Sequence, residues 1–237
     1  FFLDQTKLNK NFRIKYNKRY QEIFYNQLNI INDIKQINLS KNFILSALNL
    51  AFLGSLVSNK IQLHKDLINW PDGIFVKIYN KKIKKIPGRQ ILKNLQIDGG
   101  IKKIIVLGNL SINGKKYLKN KFNLPVEQID LPYGPIEKIL SNISLRINKN
   151  QLIFLTLPTP KQEQIANHLR LKNKHFKIIC IGGSIGIVSG DEKEVPQSLF
   201  YLEFLWRLRF ETFRRIKRLL ITFYQFLTDL LINKKML

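Results

Sequence analysis

Ile104-Ile105-Val106-Leu107-Gly108 is a short, largely β-branched apolar run closed by glycine, and residues 126–131, 152–157 and 177–181 are further strand candidates. Runs of this length suit strands buried on both faces, since a strand inside a parallel sheet meets helices on either side and needs no polar alternation. The stretches between them are polar and long enough for a helix. Strand and helix in that rhythm predict parallel crossover units, hence an α/β, Rossmann-like, mostly parallel sheet with flanking helices. Ligands of such sheets bind beyond the carboxyl ends of the strands. Gly108, Pro158-Thr159-Pro160 and Gly182-Gly183 stand where those ends should fall.

Upstream, Phe43, Ile44, Ala47, Leu48, Ala51 and Phe52 recur at helical spacing and predict a helix from about Leu39. Residues 1–35, rich in Lys, Asn and Tyr without clear periodicity, read as an N-terminal extension. Residues 36–198 then form the α/β domain. From Leu199 the character changes to a helical pattern of interleaved aromatics and arginines, ending in an apolar run at 219–232 interrupted by Gln225 and Asp229. Residues 199–237 therefore read as a C-terminal amphipathic helical appendage suited to lie in a membrane interface.

The chain has 237 residues, enough for one substantial core, and 45% hydrophobic residues argue against disorder. Its 40 Lys plus Arg against 16 Asp plus Glu leave a net charge of +24. Such an excess suits a polyanion: nucleic acid, an anionic membrane or a phosphorylated substrate. Lysine is abundant throughout and much of it reads as solvated surface. Arginine, with its planar fork, is the better guide to phosphate, and five arginines fall between Arg207 and Arg218. Arg207, Arg214 and Arg218 share one helical face. The single cysteine, Cys180, lies in an apolar run, which excludes an internal disulfide and fits a reducing compartment. No signal peptide is visible, and the start Phe1-Phe2 without Met is compatible with a fragment. No uninterrupted apolar stretch reaches the ~20 residues of a spanning helix, so a cytoplasmic location is expected.

Asp72-Gly73 after Pro71 reads locally as a turn, and Arg89 after Pro87-Gly88 as a loop cation. Thr159-Pro160-Lys161-Gln162-Glu163 reads as a helix start, with Thr159 capping and Pro160 in the first position. Gly182-Gly183-Ser184-Ile185-Gly186 is a glycine-rich turn of the kind that offers backbone N–H groups to phosphate. There is no Asp-x-Asp motif and no phosphate-binding loop of the nucleotide-hydrolase kind. His64, His168 and His175 lack metal-ligand spacing, so no metal is expected.

Taken in order, Trp70-Pro71-Asp72-Gly73-Ile74-Phe75, Ile86-Pro87-Gly88-Arg89, Pro160-Lys161-Gln162-Glu163 and the block from Glu203-Phe204-Leu205-Trp206-Arg207-Leu208 through Arg218 resemble the WecG/TagA/CpsF family of bacterial glycosyltransferases. The resemblance implies transfer of a sugar from a UDP-sugar, N-acetylmannosamine in the best-known case, to a sugar on a polyprenyl diphosphate. The setting is synthesis of capsule, teichoic-acid-like or related surface polysaccharide. It implies an inverting reaction that needs no cofactor or metal. Asp72 is then the general base, helped by a pKa raised beside Trp70 and Phe75. Arg89, Gln162, Arg207, Arg214 and Arg218 bind substrate. The enzyme would be peripheral to the inner face of an anionic membrane, and homo-oligomers are expected.

Several positions depart from the family's pattern. Gln90 replaces an acid, Leu157-Pro158 a glycine, Ile185-Gly186 a Phe-Asp pair, and Thr212 a proline; residues 191–196 lack Arg-Ala-Pro. The nearest counterpart of the family's upstream Thr/Asn site is Asn38-Leu39-Ser40. Two rival readings follow from charge and from these departures: a nucleic-acid-binding protein, for which no recognition motif is present, and an inactive membrane-associated scaffold. The transferase reading expects no nucleic-acid partner.

Overall fold

The computed structural model describes residues 28–73, 83–97, 100–194 and 196. Seven strands make one all-parallel sheet: β1 (Asn29–Ile30), β2 (Phe43–Leu48), β3 (Leu67–Pro71), β4 (Lys103–Leu107), β5 (Val126–Ile129), β6 (Gln151–Leu155) and β7 (Lys177–Cys180). Their spatial order is β1-β3-β2-β7-β6-β4-β5. The Rossmann-like α/β expectation holds, and each of the four anticipated apolar runs contains a strand. Strand β1 falls inside the stretch read as an extension, so the sheet begins ahead of residue 36.

One expectation is corrected. The helical spacing read from Leu39 onward belongs to two elements, strand β2 and helix α1 (Leu50–Val57). All six residues of β2 are buried, because β3 and β7 flank it and helices cover both faces. A continuous apolar run satisfies helical spacing as readily as a two-sided strand, so periodicity could not separate them. Asn49 marks the break: its side chain accepts the Phe52 N–H at 3.0 Å and caps α1.

Helices cover the sheet in two layers: α1, α4 (Ile136–Asn142) and α5 (Lys161–Lys172) on one face, α2 (Gly88–Asn94), α3 (Ile112–Phe122) and α6 (Ser184–Val188) on the other. Alternate residues of β4 and β6 feed the two cores. Ile105, Leu107, Ile153 and Leu155 pack under Ile165, Ala166 and Leu169 of α5; Ile104, Val106, Leu152 and Phe154 pack under Leu118 of α3. Burying each such side chain is worth about 1.5–3 kcal/mol, so the centre of the sheet is a firm platform for the loops at its edge.

Candidate active site

The topology decides where a ligand can sit. Strands β4 and β6 are neighbours, yet β4 continues through α3 on one face to β5, while β6 continues through α5 on the other face to β7. Connections leaving adjacent strands in opposite directions open a crevice at their carboxyl ends. Gly108 lies on its floor with φ +109, and a Cβ there would come within 2.6 Å of Thr156 Oγ1. Glycine is thus demanded both by the backbone and by the approach of the β6 loop. Thr156 in turn donates its N–H to Leu107 O at 3.2 Å.

Asp72 follows β3 on the same carboxyl edge, with its N–H donated to Leu48 O at the end of β2. Gly73, at φ +81, makes the turn there that the sequence predicts. Beside Asp72 stands Asn49, the cap of α1. Asn38-Leu39-Ser40, the nearest sequence counterpart of the upstream Thr/Asn site, precedes β2 at the amino edge, where the Asn38 side chain accepts Ser40's N–H and O–H at 2.9 and 2.6 Å.

Arg89 stands buried in the first turn of α2, not in a loop as the sequence suggests, and the chain leading into it is tied to this edge because Ile86 N–H donates to Pro71 O at 2.7 Å. Helix α2 packs closely on α6, with Gly88 directly against Ser184. The Arg89 side chain is 7% exposed, and its Nε lies 3.0 Å from Glu194 Oε1. Lys93 Nζ donates to both oxygens of the same carboxylate at 3.2 Å. Glu194 is a site-forming residue that sequence reasoning passed over.

Gln162 and Glu163 open α5 between β6 and β7. Helix α5 starts at Lys161, with Pro160 in the cap position, and Thr159 does not cap it as expected. Thr159 Oγ1 donates instead to Glu163 Oε1 at 3.0 Å. The same carboxyl oxygen accepts from Ser46 Oγ of β2 at 2.7 Å and from Gln162 Nε2 at 2.9 Å. Gln162 Oε1 accepts the Gly182 N–H at 3.2 Å, and that N–H also reaches Leu155 O at 3.0 Å. Gly182 has φ +56. Burial pushes the Glu163 carboxyl above its ordinary range, against the opposing pull of Ser46, Gln162 and Thr159. Its other oxygen is buried with no partner among the described residues. Burial, reinforced by Glu163, likewise holds the Cys180 thiol protonated, so Cys180 is an inert core residue as the sequence suggests.

Asp191 ties the end of α6 to the start of α3. This carboxylate accepts from Ser111 Oγ, from Ser189 Oγ at 2.6 Å and from Asn113 Nδ2 at 2.7 Å. These bonds, Ser111 foremost, lower its pKa. A cleft of about 310 Å³ between the 59–62 loop, α4 and α5 runs from Glu163 toward Leu67 at the start of β3. Among the described residues, no group of three His, Cys, Asp or Glu side chains is arranged to hold a metal ion.

Asp72, Arg89, Gln162 and the Gly182 turn thus lie along one edge. The ends of β3 and β7 are separated only by β2, which at the usual strand spacing is on the order of 10 Å. Arg207, Arg214 and Arg218 lie outside the described residues, as does Phe75.

A family model described as the glycosyl transferase WecG/TagA/CpsF family matches residues 103–237, more than half of the chain. The chain belongs to this family. No curated protein sequence matches it. The protein is accordingly a glycosyltransferase, with a sugar nucleotide and a lipid-linked acceptor as the partners its family implies. The matched span holds the switch-point crevice, Gln162, the Gly182 turn and the three terminal arginines; Asp72 and Arg89 precede it. Among the described residues no helix is long and apolar enough to cross a membrane.

Proposed function

We propose that this WecG/TagA/CpsF protein transfers an N-acetylmannosamine-like sugar, with inversion, from a UDP-sugar to a polyprenyl-diphosphate-linked sugar during surface-polysaccharide synthesis. The observation that carries the reading is the placement of Asp72 on the same carboxyl edge as the crevice between β4 and β6 and the Gly182 turn. Asp72 takes the proton from the acceptor hydroxyl as its oxygen attacks the anomeric carbon. The C–O bond to UDP breaks on the opposite side of that carbon, and its electron pair leaves on the β-phosphate oxygen.

The residues around this line divide the work. Gln162 and the turn it holds serve the donor. Arg89, Arg207, Arg214 and Arg218 meet the charge that develops on the leaving diphosphate, so no divalent cation or other cofactor is required. Residues 199–237 dock on an anionic membrane, where each basic residue is worth about 1 kcal/mol. The enzyme works at the cytoplasmic face as a peripheral protein, and self-association fits the same picture.

The test is a screen of UDP-sugars against lipid-diphosphate N-acetylglucosamine, reading UDP release. Acceptor-dependent release from one donor supports the proposal. Salt-sensitive nucleic-acid binding with no release from any donor would sink it in favour of the basic-protein reading.

A further inference from the structure

Glu163 is the least explained polar group near the crevice. It is 4% exposed, so water does not satisfy it. Among the described residues it makes no ion pair, and one of its oxygens has no hydrogen-bond partner. Removing a carboxyl from water without a counter-charge is costly, so a residue kept under such conditions should be holding something in place. Its contacts show what. Through one oxygen it gathers Ser46 from β2, Thr159 from the loop after β6 and Gln162 from α5. Ser46 is distant in the chain while Thr159 and Gln162 flank Glu163, so this oxygen ties strand β2 to the loop and first turn of α5.

Gln162 is the consequence. Its amide can face either way round, and the choice decides whether Gly182 meets an acceptor or a donor. Nε2 donates to Glu163 Oε1 at 2.9 Å and to Thr159 Oγ1 at 3.1 Å, leaving Oε1 to accept from Gly182. With the carboxyl gone, the amide keeps only the Thr159 hydroxyl, which can donate as readily as accept and so no longer fixes its orientation. The Gly182 N–H would then keep only its bond to Leu155 O, in a turn whose φ is already +56.

We propose that Glu163 is a positioning residue: it orients the Gln162 amide, and through it holds the Gly182-Gly183 turn in the shape that receives the diphosphate of the sugar nucleotide. The assignment of that ligand rests on the function proposed above; the assignment of the linkage from Glu163 to Gly182 does not. Glu163 touches no substrate and acts only through its neighbours.

The experiment uses the full chain carrying Glu163→Ala, Glu163→Gln or Thr159→Val. The first arm follows amide hydrogen exchange without ligand. Loss of one hydrogen bond of about 1.4 kcal/mol corresponds to a tenfold change, so Glu163→Ala should raise exchange at Gly182 about tenfold. Amides of Ile105 and Phe154 in the sheet should stay at parental rates. Glu163→Gln, which keeps an acceptor oxygen at the same place, should restore protection at Gly182. The second arm measures the Kd of UDP, expected to weaken about tenfold in Glu163→Ala and to recover in Glu163→Gln.

Parental exchange at Gly182 in folded Glu163→Ala would overturn the proposal, as would exchange rising equally across the sheet or a Gln variant as exposed as the Ala variant. Should the Ala variant fail to fold, Thr159→Val, which removes one donor to Glu163 and one acceptor of Gln162, must loosen Gly182 selectively or the proposal falls. Absence of UDP binding by the parent would count against the proposed function alone, and the exchange arm would still decide the linkage.

Discussion

Arg89 Nε lies 3.0 Å from Glu194 Oε1, and this ion pair joins the first turn of α2 to the segment that follows the glycine-rich turn. The arginine is almost enclosed and the carboxylate is half-exposed. The pair therefore sets the position of a cation proposed to face substrate, while water screens its strength.

Glu194→Gln should lower stability by about 1 kcal/mol, a figure discounted for the exposed carboxylate. It should also raise the KM for donor several-fold by releasing Arg89 from its set position. Urea unfolding and donor kinetics check both. Unchanged stability together with unchanged KM would mean that the pair neither stabilises nor positions.

Asp72→Asn should reduce turnover by roughly a hundred- to ten-thousand-fold, the usual contribution of a placed base. The change keeps the size of the side chain and leaves the Asp72 N–H bond to Leu48 O available, so circular dichroism should match the parent. Near-parental UDP release would remove Asp72 from the base role.

Turnover should survive EDTA. The leaving charge is assigned to arginines, and a saturating chelator removes nothing from that arrangement. Activity that disappears and returns with Mg²⁺ or Mn²⁺ would replace the arginine account by a metal-assisted one.

Removal of residues 199–237 should weaken binding to anionic vesicles and abolish turnover even on a short, water-soluble acceptor. Replacing Arg207, Arg214 and Arg218 together with Gln should retain part of the vesicle binding and still depress turnover on that acceptor. Full activity of the folded triple variant would leave these arginines with a surface role only.

His64 should make stability depend on pH. Burial first, then the Arg170 cation, lower its pKa from 6.5 to about 4, with Asp66 opposing. The unfolded chain takes up a proton near pH 6.5 that the folded chain refuses until about pH 4. Stability from this group is therefore present above 6.5 and is lost as pH falls toward 4, by about 1–2 kcal/mol after allowing for solvent at the ring. Subtracting the unfolding profile of His64→Gln from that of the parent isolates the effect, and a flat difference would refute it.

The sequence by itself determined four of the seven strands, β4 to β7. Residues 103–107, 151–155 and 177–180 are apolar runs whose local chemistry permits little else, and Asp72-Gly73 and Gly182 mark turns because their backbone angles favour glycine. It also carried the family, since Pro160-Lys161-Gln162-Glu163 is a contiguous motif. It misled at β2, where a run apolar on every side carries no period to read. Tertiary structure decided the rest. The order β1-β3-β2-β7-β6-β4-β5 follows from which face each helix takes, and that choice depends on apolar surfaces meeting across the whole sheet. Only that order brings Ser46 to the Glu163 carboxyl, and Arg89 to Glu194. Such contacts join residues far apart in the chain, and local propensity contains no term for them.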